Sequence, residues 1–155
     1  MSPFPTDIYT EPQGYSVNTL ENLAPRLAGI WEGQRGLDIK PKAEGPKEQV
    51  YIERIKMQPI DQQTNGPQLF YGLRYHLHIT KPDQVKTYHD QLGYWLWEPA
   101  KGLIVHTLTI PRGMVTMATG KASANTTQFK CVAKIDDPTA GISSSRFLDY
   151  AFKTI

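Results

Sequence analysis

The chain has 155 residues, 39% of them hydrophobic and 21% charged, with 17 Lys plus Arg against 15 Asp plus Glu; that is enough for one domain with one core. The formal charge of +2 is scattered rather than gathered into a stripe, which argues against nucleic acid as a partner. One cysteine, Cys131, excludes an internal disulfide and cysteine-based metal motifs, and no stretch approaches the roughly 20 apolar residues that cross a bilayer, so we expect no membrane insertion and a cytoplasmic location.

Residues 1–16 read as an extended arm, because Pro3, Pro5 and Pro12 deny helix and ladder hydrogen bonds; no basic flank and apolar run mark a secretory signal. Residues 17–155 read as one domain. It opens on a short helix that Asn18 or Thr19 can cap, running through Leu20, Leu23 and Leu27 and cut short by Pro25. Eight candidate strands follow, at 30–39, 48–57, 69–80, 87–97, 103–110, 114–119, 127–135 and 145–155. The breaks between them are turn-forming: Thr64-Asn65-Gly66-Pro67, Lys81-Pro82-Asp83, Pro99-Ala100-Lys101-Gly102, Pro111-Arg112-Gly113, Ala124-Asn125 and Asp137-Pro138. Links this short imply antiparallel neighbours in up-and-down order.

Alternation assigns the faces. In the third segment Leu69, Tyr71, Leu73, Tyr75, Leu77 and Ile79 oppose Arg74, His76 and His78, and in the fifth Ile104, His106, Leu108 and Ile110 oppose Val105, Thr107 and Thr109. The fourth carries aromatics on both faces, Tyr88 and Tyr94 against Trp95 and Trp97, and is expected to be covered on both sides. The second is ambiguous: Tyr51, Glu53, Ile55 and Met57 compete with Val50, Ile52, Arg54 and Lys56 for the inward face. An all-β, antiparallel up-and-down barrel of the lipocalin and fatty-acid-binding-protein kind, with about 8–10 strands and one short N-terminal helix, satisfies these patterns and leaves room for one small ligand.

The stretch Leu27-Ala28-Gly29-Ile30-Trp31-Glu32-Gly33 resembles the Gly-x-Trp opening of lipocalins, in which the tryptophan closes the barrel; Trp31 takes that role here. With Gly36 and Pro41, with Tyr88-His89-Asp90-Gln91-Leu92-Gly93-Tyr94, and with Arg112-Gly113-Met114-Val115-Thr116 through Gly120, the chain resembles the nitrobindin family of haem-binding β-barrels, also called peroxynitrite isomerases. The resemblance implies that His89 leans over a haem from the distal side. The family's proximal histidine lies on the last strand; an ungapped match places it beyond Ile155, and a gapped one places Phe147 there, so haem is a cofactor by resemblance with no proximal ligand in this sequence. The alternation of Leu148, Tyr150 and Phe152 is still running at Ile155, which suggests truncation. A barrel short of strands closes with fewer of them, pairs with a second copy as a homodimer, or leaves edges open.

The inward pattern nominates Tyr75, His89, Gln91, Trp95, Trp97 and His106 as ligand-binding residues, apolar walls with a few placed polar groups. His76 and His78 form a His-x-His pair without further ligands and read as solvent-facing, and one of Arg35, Arg54, Arg74, Arg112 and Arg146 is a candidate to greet a carboxylate. Nucleophile elbows, phosphate loops and telling carboxylate pairs are absent. The expectation is a binding protein for a small apolar or amphipathic molecule rather than an enzyme. The alternatives are a haem-dependent peroxynitrite isomerase and a filled barrel with a structural or interaction role.

Overall fold

The computed structural model describes residues 27–123 and 126–146. The arm, the N-terminal helix and nearly all of the last candidate strand lie outside them. Among the described residues nine strands form one sheet: β1 Gly29–Lys40, β2 Lys47–Asn65, β3 Gln68–Thr80, β4 Thr87–Glu98, β5 Leu103–Ile110, β6 Met114–Lys121, β7 Cys131–Val132, β8 Lys134–Ile135 and β9 Gly141–Ser144. β1 to β6 follow one another as antiparallel neighbours, β6 then pairs with both β7 and β9, and β8 lies beside β9. The fold is all-β and antiparallel-dominated, and no pairing joins β1 to the opposite edge among the described residues.

The sheet is rolled. Flat strands β1 and β4 would stand about 14 Å apart, three steps of roughly 4.8 Å, yet the Tyr88 hydroxyl on β4 donates to Asp38 on β1. Inside the roll one cluster joins Tyr75, Leu108, Met114, Ala118, Ala133 and Ile142 to Ile55, Met57, Leu77, Trp95, Ile110 and Cys131, so strands from β2 to β9 share one interior. Leu73, 1% exposed, is its most deeply buried large side chain.

Local chemistry explains the turns and the exceptions. The β5–β6 link is the three-residue Pro111-Arg112-Gly113, which needs a left-handed third residue and finds it in Gly113 at φ 76°. β2 runs eight residues past the expected Met57, through Pro59. β1 begins opposite Met57, so beyond that point β2 has no neighbour on that side among the described residues, and a residue without an amide hydrogen is tolerated. Register settles the face left open in β2: Ile55 and Met57 pair with Leu77 and Tyr75 and point inward, and Arg54 and Lys56 pair with His78 and His76 on the outside.

Three expectations are corrected. The single strand expected at 127–135 is broken into β7 and β8, and β9 arises at 141–144, where no strand was expected. β8 and β9 are parallel despite a short link: Asp136 turns into the left-handed region, and the Asp137 carboxylate accepts hydrogen bonds from the Thr139 amide and hydroxyl and the Ala140 amide, folding the chain back on itself. β4 is not covered on both faces. Leu92 and Tyr94 are 47% and 42% exposed beside Val115 and Met117 on the outside of the roll.

Gly93 sits where β5 passes closest to β4. A Cβ built there would lie 1.9 Å from the Thr107 carbonyl oxygen, so even a methyl group forces the two strands apart. Gly93→Ala should therefore destabilise the fold by about 1–3 kcal/mol, read as a lower urea midpoint at unchanged slope.

Candidate functional site

Cross-strand register sorts the inner face into rows. One runs Met57, Tyr75, Gly93, Leu108, Thr116, Ile142, and the next Pro59, Leu73, Trp95, His106, Ala118. A third starts Leu77, Gln91, and a fourth Ile79, His89. The six residues nominated from sequence therefore all sit on strands of one wall, spread over several rows.

Five of them are in contact. Because position 93 carries no side chain, the Tyr75 ring crosses β4 to reach β5, where its hydroxyl lies 2.8 Å from His106 Nε2. Gln91 Nε2 donates to the Tyr75 oxygen, and His89 Nε2 lies 3.3 Å from Gln91 Oε1. In the tautomer with the His106 proton on Nδ1, the Tyr75 hydroxyl donates to His106 Nε2 while its oxygen accepts from Gln91. His89 in turn donates to Gln91. His106 also stacks on Trp95, ring centroids 3.8 Å apart and planes within 6°, and Phe129 meets the Trp95 ring edge-on.

Burial holds the Tyr75–His106 end of this chain neutral. It lowers the His106 pKa to about 4 and raises that of Tyr75 to about 12, the Gln91 hydrogen bond working against the latter shift. A neutral imidazole, a phenol and an amide thus present polarity without charge, backed by apolar wall.

The sixth, Trp97, packs near Trp95 without joining the hydrogen-bond chain, and Trp31, expected to close the barrel, lies apart from it. Trp97 is buried in a neighbouring cluster with Ile104, Ala122, Phe129 and Cys131, and its Nε1 has no partner among the described residues; neither has Thr116 Oγ1 in the Tyr75 row. Trp31 lies on the β1 edge, 48% exposed, its Nε1 donating to the Leu27 carbonyl. It borders an open groove of about 350 Å³ lined also by Leu27, Ile55 and Met57. His76 and His78 face outward, bonded to Asp90 and Thr87. Of the arginines, Arg54 pairs with Glu32, Arg74 bonds Gln58 and Arg112 lies at the rim bonded to the Tyr88 carbonyl, so none of these three reaches the inner wall.

Sequence reasoning did not single out Phe129, Thr116 or Tyr88. Phe129 lies outside any strand, and Thr116 looked like one ordinary member of an alternating strand. Tyr88 was placed on the opposite face from Trp95; a register slip between Ile79 and Thr80 turns it toward β1.

Compared with known families, residues 19–151 match the family model described as the THAP4-like, heme-binding beta-barrel domain. No curated protein and no solved structure matches the chain. The chain belongs to this haem-binding β-barrel family, and binding of a small molecule is the general activity that membership carries. No helix among the described residues is long and apolar enough to cross a membrane.

Haem can be tested against the wall. The chain has four histidines; two face outward, His106 spends Nε2 on Tyr75 beneath the Trp95 ring, and His89 spends Nε2 on Gln91. Ligation by the Tyr75 phenol or the Cys131 thiol would have to drive off a proton that burial makes harder to lose. As the wall stands neither inward histidine has a free Nε2 for an axial bond to iron, and the Nδ1 of His89 is the imidazole acceptor left open among the described residues.

The buried imidazole has a thermodynamic consequence. The unfolded chain takes up a proton at His106 near pH 6.5 while the folded one resists until about pH 4. Its contribution to stability is therefore complete above pH 6.5 and is lost as pH falls from 6.5 toward 4. His106→Gln should flatten this stretch of the stability–pH curve relative to the parent, measured by urea unfolding at half-unit steps.

Proposed function

We propose that this member of the THAP4-like haem-binding β-barrel family is a binding protein for a small, apolar or amphipathic molecule, held on the inner wall by burial and oriented by Tyr75, Gln91, His89 and His106. The observation that carries this reading is the hydrogen-bond chain His89–Gln91–Tyr75–His106 set into apolar surface. Such a wall supplies affinity through area and direction through a few polar atoms. Trp95, stacked flat on His106 and edged by Phe129, offers a rigid aromatic surface for a planar portion of the ligand. The groove beside Trp31 extends the apolar space through Ile55 and Met57 to the Tyr75 cluster.

A haem-dependent peroxynitrite isomerase is the second reading, favoured by the family match alone. The two readings separate on one addition. Under the binding reading, ferric haem added to the protein gives no Soret band of a histidine-ligated iron; a band that shifts in His89→Ala would replace that reading with the haem one.

The binding reading also predicts what native mass spectrometry finds on protein purified from its own cells: a retained small molecule, lost or markedly reduced in Trp95→Ala. Removing the indole deletes the stacking partner and a large part of the buried area, a loss of about 3–5 kcal/mol for a core tryptophan, so the variant's folding is checked by its unfolding transition before retention is compared. Tyr75→Phe keeps the ring and removes the hydroxyl. It should fold and bind with roughly tenfold weaker affinity, the worth of one buried hydrogen bond.

A further inference from the structure

The end of the roll where β4 begins carries charge that the ligand chain does not use. Lys40, at the end of β1, places its Nζ 4.3 Å from the centre of the Tyr88 ring, and Lys81, in the β3–β4 loop, places its own at 5.6 Å. Arg112, from the β5–β6 turn, donates to the Tyr88 carbonyl at 3.1 Å. Three separate elements thus deliver a cation to one tyrosine. Among the described residues none of the three is in an ion pair, and the one carboxylate in the group, Asp38, accepts the Tyr88 hydroxyl. The surrounding hairpin tips do not cancel the excess, because Lys42, Lys47 and Lys86 are matched by Glu44, Glu48 and Asp83.

Cations that surround one residue without an ion-pair partner repel one another, and an anion among them relieves that repulsion. Their position says which anion. Tyr88 is followed by His89, which opens the hydrogen-bond chain, and seven residues of extended strand, roughly 23 Å, separate Tyr88 from Trp95. A ligand with its charged group at the rim would therefore lay its apolar body along the wall. We propose that the ligand is an amphipathic carboxylate, its carboxylate held at the rim by Lys40, Lys81 and Arg112 and its body lying against the Tyr75–Trp95 wall. This rests on the binding reading above and adds the headgroup and its direction. No guanidinium is needed inside: the anion stays at the rim, where it is partly hydrated, and the desolvation cost of a buried charge does not arise.

A carboxylate of this kind can come from an acyl chain or from a porphyrin, and the test separates them. Hexadecanoate and its methyl ester, and metal-free protoporphyrin and its dimethyl ester, are titrated into the full chain, with tryptophan fluorescence as the readout. The same four titrations are run on Lys40→Gln/Lys81→Gln, whose surface substitutions leave the inner wall intact. The parent should prefer at least one acid over its ester by roughly tenfold, and the pair that shows the preference names the source. In the double variant the acid falls to the ester's affinity while the ester is unchanged, and in the parent the preference shrinks as salt is raised. Ester and acid binding equally to the parent would overturn the carboxylate assignment and leave the binding reading standing. No binding of any of the four would overturn both.

Discussion

The contact between Tyr75 and His106 spans three strands, and it exists because the strand between them has no side chain at the crossing point. Tyr75 is on β3 and His106 on β5, with Gly93 between them on β4 directly opposite Tyr75. The absence of a Cβ there does two things at once. It lets β5 approach to where its Thr107 carbonyl would otherwise collide with β4, and it opens the lane through which the phenol reaches the imidazole. Close backbone approach and a specific polar contact are then one feature, and the inner wall around them inherits its shape from it.

Neutrality of that wall is a consequence of the same closeness. An imidazole stacked at 3.8 Å on Trp95 is cut off from water on one face, and protonating it would strand a cation in low dielectric. Burial disfavours ionising the Tyr75 phenol, and outweighs the hydrogen bond from Gln91 that would favour it. Each group in the chain therefore satisfies its neighbour as donor or acceptor, which removes most of the penalty of burying polar atoms without introducing charge. Charge is kept off these rows: Arg54 and Arg74 have partners on the outer face, cations stand at the rim around Tyr88, and the buried Glu98 carboxylate is paired with Lys101 and Gln68.

How much of this was legible depended on how cleanly period two survived. In β3 and β5 every second residue is apolar, and both the strands and their inward members, Tyr75 and His106 included, could be read directly. In β2 polar and apolar residues mix on both candidate faces, so only pairing with Leu77 and Tyr75 decides which turns in. Tyr88 was misplaced because a one-residue slip reverses the face of what precedes it, and nothing in the local composition marks the slip. The region after β6 was the least legible: its strands are two to four residues long, too short to show a period, and their parallel pairing depends on a turn stitched by one aspartate.

Family and chemistry come apart at the histidines. The family match spans residues 19–151, and strand order, turn glycines and inward apolar positions are what a barrel needs whatever it encloses. Iron ligation asks for something more particular, an imidazole nitrogen with no other partner. Here the inward histidines lie at the two ends of one hydrogen-bond chain, each with its Nε2 turned toward the protein. Freeing His106 for a metal would take the acceptor from the Tyr75 hydroxyl and leave a buried donor unpaired, a cost of about 1–3 kcal/mol before any metal bond forms. The wall thus favours ligands that complete the chain from outside, by accepting from His106 Nδ1 or donating to His89, over ligands that must break it.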